Sequence, residues 1–403
     1  MSLNFYYKNN IQSQNLNGSL LKKQKKNFKK ILLEIKNDIK NEKKTLNVLN
    51  KNFKFNFKTK DLNKFKKFKS IAIVGMGGSI LGAEAIYNLF QKKIKKKIHF
   101  FNNLDEDEMI NFKKKEKPSK ILFIIISKSG STIETLSNIF ALNIIKKNSK
   151  NVILISEKKN NSLYSLSKNY NLFYIEHNEH IGGRYSVFSE VGIIPAFLMG
   201  VNIFKLRSKI LDYLKNSNES FLKDNVLKIS NLMSSKKFNS LILLNYCPKL
   251  EKFLYWCQQL LAESLGKKNK GLLPLVSNAP KDHHSLLQLY LDGPKDKYFN
   301  IFSLEEKFNI KVNIYNKDIK TFLNKKKIST IKNAQKNALV KTLIKKNIPF
   351  REFRLKKINE ENIGKLFSMF IIETIIIGKL MKVDPFNQPA VEQVKTYTKT
   401  ILS

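Results

Sequence analysis

Residues 70–82 read SIAIVGMGGSILG, and this stretch is the clearest indication of the fold. The β-branched run Ile71–Val74 is typical of a buried parallel strand, and a helical pattern follows the glycines. Glycines at such a turn let the backbone approach a ligand, and the first helical turn offers free N–H groups to an anion. A ligand-binding loop and a tight turn without a ligand are both open interpretations. The spacing GxGGSxxG misplaces the third glycine of a dinucleotide fingerprint.

Short apolar runs separated by helical patterns recur along the chain. Strands that alternate with helices imply right-handed crossovers and a parallel sheet. The sequence therefore predicts an α/β protein, with a doubly wound domain over residues 70–205 and a second α/β domain over residues 206–380. The predicted strands are Ile71–Val74, Lys97–Phe101, Ile121–Ile126, Val152–Ser156 and Leu172–Ile175, then Leu241–Asn245, Leu272–Ser277, Phe299–Leu304 and Pro349–Leu355.

Two further segments flank these predicted domains. Residues 1–69 are polar and lysine-rich, and the helical spacing of their apolar residues predicts a helical N-terminal extension. Residues 381–403 contain a turn at 384–387 and then the pattern of one helix. Pro389 falls at the first helical position, where its fixed φ and its missing N–H are tolerated.

The charge of the chain limits the class of protein. The 403 residues include 74 Lys and Arg against 32 Asp and Glu, a formal net charge of +42, but only four of the basic residues are arginine. Proteins that read bases and phosphates rely on the arginine fork. We therefore interpret the lysine runs as solvated faces that favour anionic substrates, and we expect no nucleic-acid partner.

The sequence shows no clear signal for a membrane span, for secretion or for a disulfide framework. No apolar run approaches the roughly 18 residues of a membrane span, and the N-terminus lacks the apolar segment of a secretion signal. Cys247 and Cys257 form no CxxC pattern, so a disulfide framework or a structural zinc site is not expected. The sequence predicts a cytoplasmic protein with no membrane partner.

Residues 127–132, SKSGST, follow the predicted strand Ile121–Ile126 directly. Hydroxyls beside a helix N-terminus, at the carboxyl end of a parallel strand, can form a phosphate cradle. Serine and threonine are also ordinary helix caps, so the loop has a purely structural alternative. The density of hydroxyls favours phosphate, and the absence of a Walker pattern favours a sugar phosphate over a nucleotide.

Residues 182–186, GGRYS, place one of the four arginines behind two glycines. A guanidinium stays charged and can hold a developing oxyanion with its planar fork. The alternative is a structural arginine paired with a carboxylate.

Residues 258–267, QQLLAESLGK, place Gln259 and Glu263 on one helical face. Gly266 is a natural C-cap, which puts Glu263 in the last turn of the helix. A carboxylate at this position is a candidate general base, and the alternative is an ordinary solvated glutamate.

The last two candidate segments are DHHS at 282–285 and NQPAVEQVK at 387–395. Asp282 is a plausible N-cap, with His283 and His284 at a helix start, and no third ligand at metal-binding spacing is visible. Gln388 and Lys395 are seven residues apart, two turns along one helical face.

Together, the motifs GMGGSILG, SKSGST, GGRYS, QQLLAESLGK, HHSLLQL and FNQPAVEQVK resemble those of the phosphoglucose isomerase family, in the sugar-isomerase (SIS) superfamily. The resemblance covers most of residues 70–395. It implies two αβα sandwich domains with parallel sheets, and a sugar-phosphate substrate. It also implies reversible isomerisation of glucose 6-phosphate and fructose 6-phosphate through ring opening and a cis-enediolate. A homodimer with active sites at the subunit contact is implied, and no metal or organic cofactor.

The resemblance also assigns roles by motif position. Glu263 matches the base that moves the proton between C1 and C2, and Arg184 matches the residue that stabilises the enediolate. His284, from the partner subunit, and Lys395 match the ring-opening pair. The choice of His284 over His283 depends on the alignment of the residues that follow. The phosphate loop corresponds to Ser127, Lys128, Ser129 and Thr132, and the other substrate contacts to Gly78, Ser79, Gln259 and Gln388.

Two other functions remain open at this point. One is a dual-specificity aldose isomerase that also accepts mannose 6-phosphate, and the chain length and the Gln388 to Lys395 motif count against it. The other is a sugar-phosphate sensor that binds nucleic acid through its lysines, with steep salt dependence. A sensor gives Glu263, His284 and Lys395 no role.

Overall fold

Both predicted sheets form. Their central strands are short apolar runs whose side chains are buried on both faces of the sheet. The computed structural model describes residues 5–305, 309–315 and 321–403. In these ranges the strands are β1 (Phe5–Asn9), β2 (Ser70–Val74), β3 (Lys97–Phe101), β4 (Ile121–Ile126), β5 (Val152–Ser156), β6 (Phe173–Glu176), β7 (Ser240–Asn245), β8 (Leu273–Asn278), β9 (Lys297–Leu304) and β10 (Phe350–Leu355).

Helices occupy most of the connections between these strands. In the described ranges they are α1 (Gly18–Lys40), α2 (Thr59–Leu62), α3 (Leu81–Phe90), α4 (Glu106–Lys115), α5 (Ile133–Ala141), α6 (Ser162–Asn169), α7 (Glu190–Leu198), α8 (Ile203–Arg207), α9 (Glu219–Ser234), α10 (Glu251–Leu265), α11 (Leu287–Asp292), α12 (Ile328–Lys345), α13 (Glu360–Leu380) and α14 (Ala390–Leu402). No helix in these ranges is both long enough and apolar enough to cross a bilayer.

The first sheet is parallel throughout, with strand order β3-β2-β4-β5-β6. Ile71 and Ile73 of β2 pack into one core, while Ala72 and Val74 pack into the core on the other face. Since alternate side chains of a strand point to opposite faces, the sheet is covered by helices on both sides. The predicted αβα sandwich is confirmed, and β3, β4 and β5 have the predicted bounds.

The second sheet has strand order β1-β10-β9-β7-β8, in which β7 to β10 are parallel. Leu241 and Leu243 face one core, and Ile242 and Leu244 face the other. This sheet is therefore also the middle layer of a sandwich, as the sequence predicted.

The N-terminal segment contains a strand that the sequence analysis did not predict. β1 pairs antiparallel with β10, with Tyr7 opposite Phe353, and the Tyr7 hydroxyl donates to the side chain of Asn225. The predicted helical part is present as α1, which buries Phe28 and Ile35 among its apolar face. The segment thus completes one edge of the second sheet and covers part of its core.

Helix α10 connects the two halves of the molecule. It lies against α3 on one side and against β7 and β8 on the other. Ile86 of α3, Phe253 of α10 and Phe367 of α13 belong to one continuous core. Helix α10 also contacts the 3₁₀ turns Gly77–Ser79 and Gly183–Phe188, which brings it next to two of the motif loops.

Candidate active site

Two of the motif loops lie side by side at the carboxyl edge of the first sheet. β2 and β4 are adjacent parallel strands, with Val74 opposite Ile125, and the loops 75–79 and 127–132 follow them. β3 lies on one side of β2 and β4 on the other, so the winding direction reverses between β2 and β4. Doubly wound sheets bind ligands in the crevice at such a switch point.

The loop after β2 is held against the GGRYS segment by a close backbone contact. A Cβ added to Gly78 would lie 2.2 Å from the carbonyl carbon of Gly183 and 2.5 Å from the nitrogen of Arg184, so only glycine fits. A Cβ on Gly77, at φ +51°, would lie 2.7 Å from Nε2 of Gln259. The 3₁₀ turn Gly77–Ser79 therefore lies between Arg184 and Gln259, two residues to which the resemblance assigns a role in the reaction.

The hydroxyls of the loop 127–132 converge. Oγ1 of Thr132 lies 2.8 Å from Oγ of Ser127 and 3.4 Å from Oγ of Ser129. Thr132 is the N-cap of α5, but its side chain makes no capping bond to that helix. Nζ of Lys128 lies 3.5 Å from a carboxylate oxygen of Glu157. The structure thus brings the three hydroxyls together and pairs the ammonium with a neighbouring loop.

Arg184 is the centre of the site, and its side chain is only 3% exposed. Nη1 donates to Oε2 of Glu263 at 3.1 Å and to Oε1 of Gln388 at 3.0 Å. Nη2 donates to the carbonyls of Pro385 at 2.6 Å and Asn387 at 3.1 Å. The guanidinium therefore joins α10 to the turn that precedes α14.

The carboxylate of Glu263 is held at both oxygens while its side chain stays 30% exposed. α10 places Gln259 one turn earlier, and Nε2 of Gln259 donates to Oε1 of Glu263 at 2.9 Å. Both residues line a cleft of about 510 Å³ between α3 and α10. Gly266 caps α10 as predicted. A fixed carboxylate in a cleft, beside a guanidinium, can move a proton whose negative charge the guanidinium offsets.

Three residues of the quoted motifs that had no predicted role also belong to the site. Oγ of Ser264 accepts from Nε of Arg184 at 2.8 Å and lies 2.8 Å from the Tyr185 hydroxyl. That hydroxyl donates to the carbonyl of Pro385 at 2.7 Å, and burial raises the pKa of Tyr185, so it stays protonated. Nζ of Lys267 donates to three backbone carbonyls nearby. Their positions next to Arg184 and Glu263 in sequence are the signal that could have identified them.

The histidine pair follows β8, in the second sandwich. Asp282 does not cap a helix as predicted, since it lies within a 3₁₀ turn and its carboxylate accepts from the backbone N–H of Asn278 at 2.6 Å. Nε2 of His283 lies 2.7 Å from the Tyr246 hydroxyl, and burial, with His284 adding to it, lowers the pKa of His283. His284 is exposed. Among the described residues, no three His, Cys, Asp or Glu side chains group closely enough to hold a metal ion.

Lys395 lies on α14, which buries none of its residues. Its side chain is 61% exposed, and Nζ pairs with Glu392 on the same helix at 2.7 Å. Within the part of the chain that the structure describes, no hydrogen bond or ion pair joins Lys395 or His284 to Glu263 or Arg184. One chain therefore assembles the residues assigned to proton transfer and leaves those assigned to ring opening on its surface.

Sequence comparison identifies relatives over most of the chain. A profile of the family described as phosphoglucose isomerase matches residues 21–274. A glucose-6-phosphate isomerase of Methanocaldococcus jannaschii is 34% identical over 350 residues, covering 83% of this chain and 85% of the relative. A glucose-6-phosphate isomerase of Campylobacter jejuni is 31% identical over 355 residues, covering 83% and 86%.

Solved structures share the fold. A hypothetical protein from Thermus thermophilus superposes with a TM-score of 0.82 at 20% identity, covering 99% of this chain and 100% of the other. A glucose-6-phosphate isomerase from Chlamydia trachomatis superposes with a TM-score of 0.71 at 18% identity, covering 84% and 71%. At these identities the structural likeness supports the two-sandwich architecture alone.

Proposed function

The chain belongs to the phosphoglucose isomerase family, and we propose that the cleft around Arg184 and Glu263 carries out the family's reaction. That reaction is the reversible isomerisation of glucose 6-phosphate and fructose 6-phosphate, an aldose–ketose conversion. The observation that carries the site assignment is the 3.1 Å contact between Arg184 and a glutamate that lines an open cleft. A guanidinium at this distance from a base can offset the charge that the base creates on the substrate.

Glu263 is the proposed base. In the open-chain sugar it removes the proton from C2, which leaves an enediolate with its charge on O1. The hydroxyl proton of O2 then passes to O1, and the same carboxyl returns its proton to C1 to give the ketose. The bond from Gln259 fixes the carboxylate from one side, and Arg184 fixes it from the other. Such a fixed geometry supports repeated transfer between two adjacent carbons without reorganisation of the base.

Arg184 is the proposed stabiliser of the enediolate. Its Nη1 lies between Glu263 and Gln388, and in the proposed mechanism it offsets the negative charge that develops on O1 and O2. The carbonyls of Pro385 and Asn387 hold the other half of the fork, so the guanidinium is oriented before substrate binds. A preoriented cation needs little reorganisation in the transition state.

The phosphate group is proposed to bind at the hydroxyl cluster of Ser127, Ser129 and Thr132. This cluster lies beside the N-terminus of α5, where N–H groups and the helix dipole favour an anion. Lys128 contributes by position in the motif, although its ammonium pairs with Glu157 here. The loop that holds Gly78 and Ser79 approaches Gln259 at Gly77 and the end of β4 at Gly75, which supports the assignment of Gly78 and Ser79 to substrate contact.

Ring opening is proposed to occur in a homodimer whose active sites lie at the subunit contact. His284 is exposed, and so is Leu289 on α11, with 49% of its surface accessible. On α14, Val394 and Tyr397 are likewise exposed near Lys395. A second copy would cover both surfaces, and His284 of the partner subunit would then complete the site. This arrangement supplies a donor and an acceptor for the ring and anomeric oxygens.

We also assign the enzyme to the cytoplasm. Cys247 and Cys257 both lie in the apolar core and behave there as packing residues. This use of cysteine suits a reducing compartment.

The reaction is tested with a coupled assay for conversion of fructose 6-phosphate to glucose 6-phosphate. The wild-type protein should turn over fructose 6-phosphate without added metal, and Glu263→Gln should abolish turnover while the protein stays folded by circular dichroism. A wild-type rate for Glu263→Gln would remove the assignment of the base.

The dimeric site is tested by mixing two inactive variants, Glu263→Gln and His284→Ala, under conditions of subunit exchange. In the mixed dimer one site carries both defects and the other carries none, so random pairing should restore about a quarter of the wild-type activity. If activity does not return once subunit exchange has been verified, His284 acts in the same subunit as Glu263. A second mixture, with His283→Ala in place of His284→Ala, shows which of the two histidines the partner subunit supplies.

A further inference from the structure

Lys267 uses all three of its ammonium protons on backbone carbonyls. Nζ donates to the carbonyl of Glu263 at 2.7 Å, to that of Ser264 at 3.0 Å and to that of Asp384 at 2.7 Å. The first two carbonyls end α10, and the third opens the turn before α14. Because the last carbonyls of a helix have no partner within the helix, a cation there supplies the missing donor.

Arg184 crosses the same gap from the other side. It binds the side chains of Glu263 and Ser264 on α10, and the carbonyls of Pro385 and Asn387 in the turn. The end of α10 and the turn 384–388 are thus connected by the Arg184 guanidinium, by the Lys267 ammonium and by the Tyr185 hydroxyl, which contacts Ser264 and donates to the carbonyl of Pro385. Of these two cations, the guanidinium is the one that binds the side chains of Glu263 and Gln388, through its Nη1.

We propose that Lys267 is a positioning residue for the isomerisation, fastening the turn 384–388 to the end of α10 so that Arg184 keeps its place beside Glu263. This inference rests on the proposed roles of Arg184 and Glu263, and it gives Lys267 no contact with substrate. The guanidinium takes its orientation from carbonyls in the turn, so a turn released from α10 lets the fork rotate away from the base. A displacement of about 1 Å in a catalytic geometry can cost about a hundredfold in rate.

The charge of Lys267 is sensitive to alkaline pH. Burial lowers the pKa of Lys267 to about 8, and the Arg184 guanidinium adds to this, while the carboxylates of Asp384 and Glu263 oppose it. A neutral amine has two N–H donors and a lone pair, so one of the three carbonyls loses its donor. The kcat of the wild-type enzyme should therefore decline as the pH rises through about 8.

That decline should not come from unfolding. A lysine whose pKa is lower in the folded state than its usual value releases its proton first from the folded protein. Between the two pKa values the unfolded chain binds more protons, so this group favours the folded state as pH rises. The thermal midpoint measured across the same range separates the loss of positioning from a loss of stability.

The test compares Lys267→Met and Lys267→Arg with the matched control Lys270→Met. Lys270 makes the same kind of bond between neighbouring segments, from Nζ to the carbonyl of Met381 at 2.7 Å, but it does not touch the turn. We expect Lys267→Met to lower kcat about 10- to 100-fold with little change in the KM for fructose 6-phosphate. Lys270→Met should keep the wild-type kcat, and Lys267→Arg should recover most of it.

The pH profile provides the readout that a purely structural role would not change. Since a guanidinium does not titrate in this range, the alkaline decline near pH 8 should be missing in Lys267→Arg. A wild-type pH profile in Lys267→Arg overturns the proposal, and so does a wild-type kcat in Lys267→Met. If Lys267→Met is too unstable to measure, the pH profile of Lys267→Arg decides alone. If Glu263→Gln is fully active, the proposed function fails instead, independently of Lys267.

Discussion

Two arginine–glutamate pairs of this molecule have similar contact distances but differ in how far the glutamate is exposed. Arg184 contacts Glu263 at 3.1 Å, and Arg351 contacts Glu373 at 2.7 Å. Both arginines are buried, but the side chain of Glu263 is 30% exposed and that of Glu373 only 2%. The contact distance therefore does not distinguish a site from a core, whereas access to the carboxylate does.

The remaining partners show the same contrast. Oε2 of Glu373 accepts from Asn225, and Nε of Arg351 donates to Asn300, so the second pair is closed within side chains of the second sandwich. Arg184 instead binds backbone carbonyls of a turn. A closed buried pair mainly stabilises one packing arrangement, and an open pair leaves the base available to a substrate.

The largest expected effect separates the two arginines by activity. Arg184→Lys keeps a positive charge but loses the fork, so kcat should fall about 10²- to 10³-fold. Arg351→Lys should keep the wild-type kcat for the folded fraction and lower the midpoint of urea unfolding. Steady-state kinetics and urea titration of both variants check the contrast. Equal kcat losses in the two variants would show that the pairs do not differ in function.

The second prediction concerns the two glutamates and stability. Glu373→Gln leaves a buried guanidinium without its counter-charge, so the free energy of unfolding should fall by about 3–5 kcal/mol. Glu263→Gln, at an open carboxylate, should change it by less than about 1 kcal/mol. Denaturant unfolding of the two variants gives both values. A larger loss of stability in Glu263→Gln would reverse the assignment of the structural pair.

The third prediction concerns the proposed phosphate loop, in which Ser129 is exposed and Ser127 is buried. Replacing Ser127, Ser129 and Thr132 together by alanine should raise the KM for fructose 6-phosphate at least about tenfold, because bonds from hydroxyls to a charged group are lost. The side chain of Thr132 makes no capping bond to α5, so the variant loses mainly the bonds among the hydroxyls, at about 1 kcal/mol each, and should remain folded. Ser149→Ala, at an exposed hydroxyl away from the loop, is the control. An unchanged KM in the triple variant would exclude this loop as the phosphate site.

The smallest effect on kcat is expected for the exposed lysine runs, which lie outside the cleft. Lysine-to-glutamine changes in the runs 22–30 and 113–117 should leave kcat within about twofold, with only a salt-dependent change in kcat/KM. Kinetics at low and high ionic strength measure both. A large loss of kcat at either run would mean that these lysines do more than steer anions.

The sequence predicted the sheets well because parallel strands buried on both faces are read as apolar runs, as in β4. It missed β1, a short strand with polar residues whose pairing is decided by β10. It also missed the buried pair of Arg351 and Glu373, since nothing in the spacing of two charged residues predicts that the fold will bring them together.

The candidate site likewise contains residues that the sequence predicted and contacts that it could not predict. The motifs identified Arg184, Glu263, Gln259 and Gln388, and the structure brings them into contact. The carbonyls of the turn 384–388 carry no side-chain signal, so their bonds to Arg184 could be found only in the folded chain. His284 and Lys395 stay predictions, because one chain does not bring them to the site.

Hydrogen exchange at C2 of the substrate in deuterated solvent examines the role of Glu263 separately from ring opening. Glu263→Gln keeps the shape and a hydrogen bond but removes the basic oxygen. Exchange and turnover should therefore fall together by about 10²- to 10⁴-fold or more. Interconversion of the sugar anomers, which the proposed mechanism assigns to His284 and Lys395 and not to the base, should continue. Exchange of the C2 hydrogen at the wild-type rate in Glu263→Gln would show that another group is the base.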